Sequence, residues 1–174
     1  MPTPQRYDQR TIVFHWLTAA TIAVMWLIPQ VIDQFTGATR IYVRSVHILL
    51  GVALLALVVA RLVWRATGGR RLPPAETGLK GTAATLAHVA LYALTLTVLI
   101  AGVTYVFARG DNILNLGRLP AFAADDHALR RLIGSVHSLA ANGVLILAGL
   151  HAAAALAHHY VLKDGVLRRM LPQT

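Results

Sequence analysis

Polar and apolar positions alternate along this chain in long blocks rather than short periods. Four apolar runs extend from about Thr11 to Val31, Tyr42 to Trp64, Thr82 to Phe107 and Leu132 to Tyr160. Each is long enough to cross roughly 30 Å of hydrocarbon. The runs are continuous and rich in Ala and Leu, without the two-residue alternation of an outer-membrane barrel. Backbone groups in lipid must bond within their own segment, so all four are predicted as helices. The connections are polar and broken by Gly and Pro. Asp33 to Arg40 is predicted as a short turn, and Arg65 to Lys80 holds Gly68-Gly69 and Pro73-Pro74. Arg109 to Arg131 is the longest connection, with Pro120, Asp125, Asp126 and His127. Within it, Ile113-Leu114-Asn115-Leu116 is predicted as a short helix lying in the membrane interface. With no internal repeat, residues 1–174 are expected to form a single all-α domain, an integral membrane four-helix bundle.

Composition strengthens this reading. Of 174 residues, 56% are hydrophobic and 13% charged, against about 25% charged in a typical soluble domain. The mean hydropathy is +0.59. There is no cysteine, which excludes disulfides, iron–sulfur clusters, thiolate-ligated haem and covalently attached c-type haem. The net charge of +9 comes from residues at helix ends and in connections. That placement anchors a membrane protein and is not a nucleic-acid patch. One side of the membrane holds Arg6, Arg10, Arg61, Arg65, Arg70, Arg71, Lys80, Lys163, Arg168 and Arg169. The other holds Arg40, Arg44, Arg109, Arg118, Arg130 and Arg131. The richer side is expected to be cytoplasmic, which puts both termini inside a bacterial inner membrane. No cleavable signal peptide is evident, since the first apolar run carries His15 and Trp16 and lacks a small-residue cleavage site.

The eight histidines are unevenly spread. His15 falls near the cytoplasmic end of the first span and His47 near the opposite end of the second. His137 and His151 fall toward the two ends of the fourth. An ionisable side chain inside the bilayer needs a reason, and four at two matched depths need a shared one. His137 and His151 are fourteen residues apart. That is close to four helical turns, so they face one way about 21 Å apart along the axis. Antiparallel neighbours place His15 at the depth of His151 and His47 at the depth of His137. Two pairs of neutral imidazoles suit two six-coordinate b-type haems stacked across the bilayer, His15 with His151 and His47 with His137. The plain alternative is four packed, hydrogen-bonded histidines. One zinc or non-haem site would gather its ligands at a single depth. A proton relay would bring an intramembrane Asp or Glu, and none accompanies them.

Secondary candidates carry competing readings. Gly51, Gly102, Gly134, Gly143 and the Ala152–Ala155 run allow helices to approach closely. Arg61 is fourteen residues after His47, at cytoplasmic depth. It is either a haem-propionate partner or a snorkelling interfacial arginine. His88 and His158 are either quinone hydrogen-bond partners beside the cytoplasmic haem or solvated interfacial histidines. His127, beside Asp125 and Asp126, is expected to be solvated in its loop.

The segment Gly149-Leu150-His151-Ala152-Ala153-Ala154-Ala155-Leu156-Ala157-His158-His159-Tyr160 resembles the last-helix signature of the prokaryotic cytochrome b561 family. His15-Trp16, Val46-His47, Arg109-Gly110, Lys163-Asp164, Arg169-Met170 and Pro172 extend the likeness over nearly the whole chain. Within the family the similarity is greatest to the superoxide oxidase type. The resemblance implies a dihaem bundle whose four ligands map onto His15, His47, His137 and His151. It implies superoxide as periplasmic electron donor and ubiquinone as acceptor near the cytoplasmic haem. Arg40, Arg44, Arg109, Arg130 and Arg131 would then draw the anion inward, or simply anchor to headgroups. The family's quinone site uses a basic residue in the second connection. Here the charge and proline pattern of that connection departs, and Arg71 or Lys80 is the candidate. The alternatives to a superoxide oxidase are an electron-carrier subunit serving a partner dehydrogenase, hydrogenase or cytochrome, and a haem-free transporter or assembly factor.

Overall fold

The computed structural model describes residues 6–172. Four long helices dominate it: α1 (Gln9–Val31), α2 (Gly37–Thr67), α3 (Gly78–Arg109) and α4 (His127–Ala157). All four are long and apolar enough to cross a membrane. Each begins or ends beyond its apolar run. α2 starts at Gly37 rather than Tyr42, α3 at Gly78 rather than Thr82, and α4 at His127 rather than Leu132. Hydropathy marks the depth of hydrocarbon, whereas a helix continues into the interface, where Arg40, Arg44, Lys80, Arg130 and Arg131 are at home.

Caps set the ends. Asp8 caps α1 and Asp126 caps α4, each carboxylate accepting the backbone N–H three residues on. His127 is thus the first residue of α4 rather than a loop residue, though it is exposed as expected, with Nδ1 2.8 Å from Arg130 Nη2. α3 ends at Gly110 in the left-handed region, φ 64°, where a Cβ would also meet Leu119 O and Ala121 Cβ at 2.8 Å. Only glycine satisfies both constraints.

The expected interfacial helix at Ile113–Leu116 does not form. The connection instead folds into a small antiparallel hairpin, β1 (Asn112–Ile113) against β2 (Gly117–Arg118). Leu114 and Asn115 take φ of 53° and 60° at its tip. That conformation is easy for Asn and costly for Leu. The cost at Leu114 is offset by its N–H, which donates to the hydroxyl of fully buried Ser45 on α2 at 2.8 Å. A four-residue apolar string carries no signal for that long-range bond.

The closest backbone packing joins α3 to α4, α1 to α2, and α2 to α3. No comparably close approach links α4 to α1 or to α2. The buried core is small: Leu54 and Val58 of α2 against Leu99 of α3, flanked by Ile22 and Met25 of α1. Leu139, Ile146 and Leu86 are exposed, as lipid-facing residues should be. Hydroxyls inside the spans bond the carbonyl one turn back, as Thr18 does to Phe14 O at 2.6 Å and Thr104 to Ile100 O at 2.8 Å. This removes a polar group that lipid cannot solvate.

The termini meet at one end of the bundle. A π-helical turn, His158–Leu162, widens the end of α4, and a short 3-10 turn, Leu167–Met170, follows. Trp16 Nε1 donates to Met170 O at 2.7 Å, and Arg169 donates to Pro73 O at 2.8 Å. Asp8 is the hub of this end. Its carboxylate accepts from the Thr11 N–H and hydroxyl, from Trp64 Nε1 and from Arg70 N–H. Partial burial alone would raise its pKa, but these four bonds outweigh it and hold the group well below the ordinary carboxylate range.

Candidate functional site

α4 supplies two histidines on one face, and each meets an imidazole from the α1–α2 hairpin. The ring centroids of His15 and His151 are 6.3 Å apart, and those of His47 and His137 are also 6.3 Å apart. The two pairs inferred from depth are therefore the ones whose rings come together. All four rings are half-buried. They face each other across the helix pairs that lack close backbone packing.

The spacing has chemical content. A metal–imidazole nitrogen bond is about 2.0–2.1 Å, and a ring centroid lies roughly 1 Å further back, so two imidazoles on opposite sides of one metal have centroids about 6 Å apart. Both pairs meet that requirement. His88 does not: its centroid is 5.3 Å from that of His151, too close for one ion between opposed rings. His88 instead sits beside the pair, its Nδ1 2.7 Å from its own helix's Ala84 carbonyl.

At the hairpin end, His137 Nδ1 is 2.8 Å from the Val98 carbonyl of α3. A carbonyl only accepts, so Nδ1 holds the proton and Nε2 presents a lone pair, as a metal-binding imidazole requires. Gly102 makes this possible. A Cβ there would stand 3.0 Å from His137 Cε1 and 3.1 Å from Nδ1. His47 Nδ1 is buried and has no hydrogen-bond partner among the described residues. Gly134 faces the Tyr105 ring, where a Cβ would lie 3.0 Å from Cζ. Arg109 stacks on that ring at 4.3 Å and grips Asp111 through both carboxylate oxygens, at 2.7 and 2.5 Å. Arg44, one turn before His47, stands 3.8 Å from Asp111, and Arg40 pairs with Asp33 at 2.6 Å.

At the terminus end the surroundings differ. Arg61 Nη2 is 3.2 Å from His15 Nδ1, and its guanidinium lies over the Tyr92 ring at 5.3 Å. A guanidinium only donates, so in this contact Nδ1 accepts and Nε2 carries the proton. A metal bond at Nε2 and this hydrogen bond exclude each other, so Arg61 must release His15 for the pair to ligate. Release would free the guanidinium for an anionic partner. His158 lies two turns beyond His151, with Nδ1 2.5 Å from Asp164 and 4.0 Å from Glu76. The bond to His158 holds the Asp164 carboxyl below its ordinary pKa. Arg71 is exposed on the α2–α3 connection, and Lys80 is exposed in the first turn of α3.

Sequence reasoning missed Val98, whose contribution is a carbonyl that any residue would offer. It also missed Tyr92 and Tyr105, whose aromatic rings look like ordinary span residues. Asp111 had a signal: it directly follows the Arg109-Gly110 pair, at the start of a hairpin that covers it.

The chain's similarities agree in type. Residues 6–173 match the model of the family described as prokaryotic cytochrome b561. Cytochrome b561 homolog 2 of Escherichia coli K12 is 31% identical, over 97% of this chain and 93% of its own length. A Yersinia pestis protein named probable superoxide oxidase CybB is 28% identical, over 97% of each chain. Cytochrome b562 of Cereibacter sphaeroides is 30% identical, over 95% of this chain and 94% of its own length. Four spanning helices, histidines facing one another within them and a match over nearly the full length lead to one conclusion: the chain belongs to the prokaryotic cytochrome b561 family of membrane electron carriers, which bind b-type haem.

Proposed function

We propose that this chain is a dihaem cytochrome that carries electrons across a bacterial inner membrane from periplasmic superoxide to ubiquinone. The observation that supports it best is the pair of equal 6.3 Å imidazole separations, set fourteen residues apart on α4. In this reading His15 and His151 ligate the iron of one haem, and His47 and His137 that of the other. Haem held by these residues would supply one-electron transfer, and a histidine pair for each iron would favour outer-sphere exchange over substrate binding at the metal.

The chain's own residues then have separable roles. The Val98 carbonyl and Gly102 fix the tautomer and plane of His137. Arg61, now at His15, would be the residue to pair with a haem propionate. Arg130 and Arg131 attract the superoxide anion, while Arg40, Arg44 and Arg109 are already paired, Arg40 to Asp33 and the other two to Asp111. His88 or His158 donates a hydrogen bond to a quinone carbonyl, with Arg71 or Lys80 as the neighbouring cation. The richer basic end, with both termini, faces the cytoplasm.

The test has two stages. A reduced-minus-oxidised spectrum of the purified chain is expected to show low-spin b-type haem at two per chain. A single haem would overturn the paired assignment. Rapid mixing with superoxide, with and without ubiquinone, is expected to give fast haem reduction followed by quinone-dependent reoxidation. Slow reduction by superoxide would remove the oxidase reading, and the same frame would then serve as the electron-carrier subunit of a partner redox protein.

A further inference from the structure

Glu76, His158 and Asp164 come from three separate segments: the connection before α3, the π-helical turn after α4, and the tail beyond it. One ligand atom from each lies within 4.8 Å of the other two. Glu76 and His158 are half-buried and Asp164 is exposed, their side chains 29%, 21% and 31% accessible. This end of the chain carries ten of the sixteen Lys and Arg residues. Even so, neither carboxylate forms an ion pair with any Lys or Arg among the described residues. Both turn to the same imidazole nitrogen, which offers at most one proton. His158 Nδ1 therefore satisfies one carboxylate, at 2.5 Å, and leaves the other at 4.0 Å.

We propose that Glu76, His158 and Asp164 form a binding site for a divalent transition-metal ion of the zinc class. One imidazole nitrogen with two carboxylate oxygens and no thiolate suits zinc, nickel or copper, while magnesium and calcium favour all-oxygen shells. Ligand atoms around one zinc stand about 3.3 Å apart at bonds of about 2.0–2.2 Å. The cluster reaches that shell if the His158–Asp164 contact opens and the flexible Glu76 side chain moves inward by roughly 1–1.5 Å. Three protein ligands leave a fourth position for water. The bound ion ties the start of α3 to the C-terminal tail. It engages Nδ1 of the imidazole proposed as a quinone contact and would leave the proton on Nε2, free for that contact. The site itself rests on its own three ligands and stands whether or not quinone is the acceptor.

The test uses the haem-loaded full chain in detergent, stripped of metal by a chelator and titrated with zinc chloride against a chromophoric competitor. One zinc per chain is expected to bind and to raise the thermal midpoint. Glu76→Gln and Asp164→Asn are each expected to weaken binding at least about tenfold, the scale seen even for outer-shell partners. His127→Ala and His159→Ala, which remove histidines outside the cluster, should leave it unchanged. Magnesium at about a hundredfold excess should not compete. Unchanged affinity in both carboxylate variants, or equal binding of magnesium, overturns the site. If a variant fails to fold, zinc-edge absorption on the unmodified chain decides: one imidazole with oxygen ligands supports the site, and a shell without imidazole overturns it.

Discussion

The His47–His137 pair and the His15–His151 pair share one separation and differ in what holds them. At the hairpin end the controls are backbone: the Val98 carbonyl on His137, the absent Cβ at Gly102, and a hairpin pinned by Ser45. Charge there is nearly cancelled, with six arginines against Asp33, Asp111, Asp125 and Asp126, a net of +2. At the terminus end the controls are side chains: Arg61 on His15, His88 beside His151, and Tyr92 under the guanidinium. Charge there is largely uncancelled, with ten basic residues against Asp8, Glu76 and Asp164, a net of +7. One pair is held by geometry that cannot titrate or swing. The other has one charged neighbour, Arg61, whose guanidinium contacts both His15 and the Tyr92 ring. In the function proposed, electrons would enter at the centre held by backbone groups and leave at the one with a charged side chain beside it.

The comparison breaks most completely if one pair is removed. His137→Ala is expected to lose the hairpin-end haem and His151→Ala the terminus-end haem, each halving the haem content measured by pyridine haemochrome. Two haems in either variant would end the pairing. Gly102→Val comes next. It drives a side chain into the His137 ring, which should disturb or abolish the hairpin-end signal and destabilise the bundle by about 1–3 kcal/mol. The terminus-end signal should be spared, and equal damage to both centres would show that the pairs are not independently held.

Arg61→Gln sharpens the contrast from the other side. Loss of a nearby cation disfavours the reduced centre. The terminus-end midpoint potential should therefore fall by tens of millivolts, since such a charge is worth on the order of 1–2 kcal/mol at an effective dielectric near 20. A redox titration resolving the two centres checks this, and a shift of the hairpin-end centre alone would refute the placement.

The smallest effect concerns Asp8. Its folded pKa lies below the ordinary value of 3.8, so its contribution is whole above that value and fades as pH falls through the lower folded one. Asp8→Ala should cost roughly 1–2 kcal/mol at neutral pH, as for a lost helix cap. Thermal midpoints of variant and parent should begin to draw together as pH falls below about 4 and continue to do so at lower pH. A constant gap down to pH 2 would show that the ionised carboxylate is not responsible.

Much of the frame was legible because it is local. Span length, the four-turn offset between His137 and His151, and the lack of cysteine can be read without a neighbour. Caps were partly legible: Asp126 stands where an N-cap belongs, yet the hydropathy edge at Leu132 hid it. The Ile113–Leu116 hairpin was not legible, because its apolar pattern suits an interfacial helix. Its decisive partner, Ser45, is 69 residues away from Leu114.

The chain by itself determined four spans, an uneven charge between the two ends, and histidines at two depths, since hydropathy and the 3.6-residue turn are properties of consecutive residues. Tertiary structure alone decided which rings face each other at 6.3 Å, that His88 stands too close to His151 to share a metal with it, and that Arg61 rests on His15. Those outcomes depend on how far apart packed helices hold their backbones and how far each side chain reaches. A one-dimensional pattern does not encode either distance.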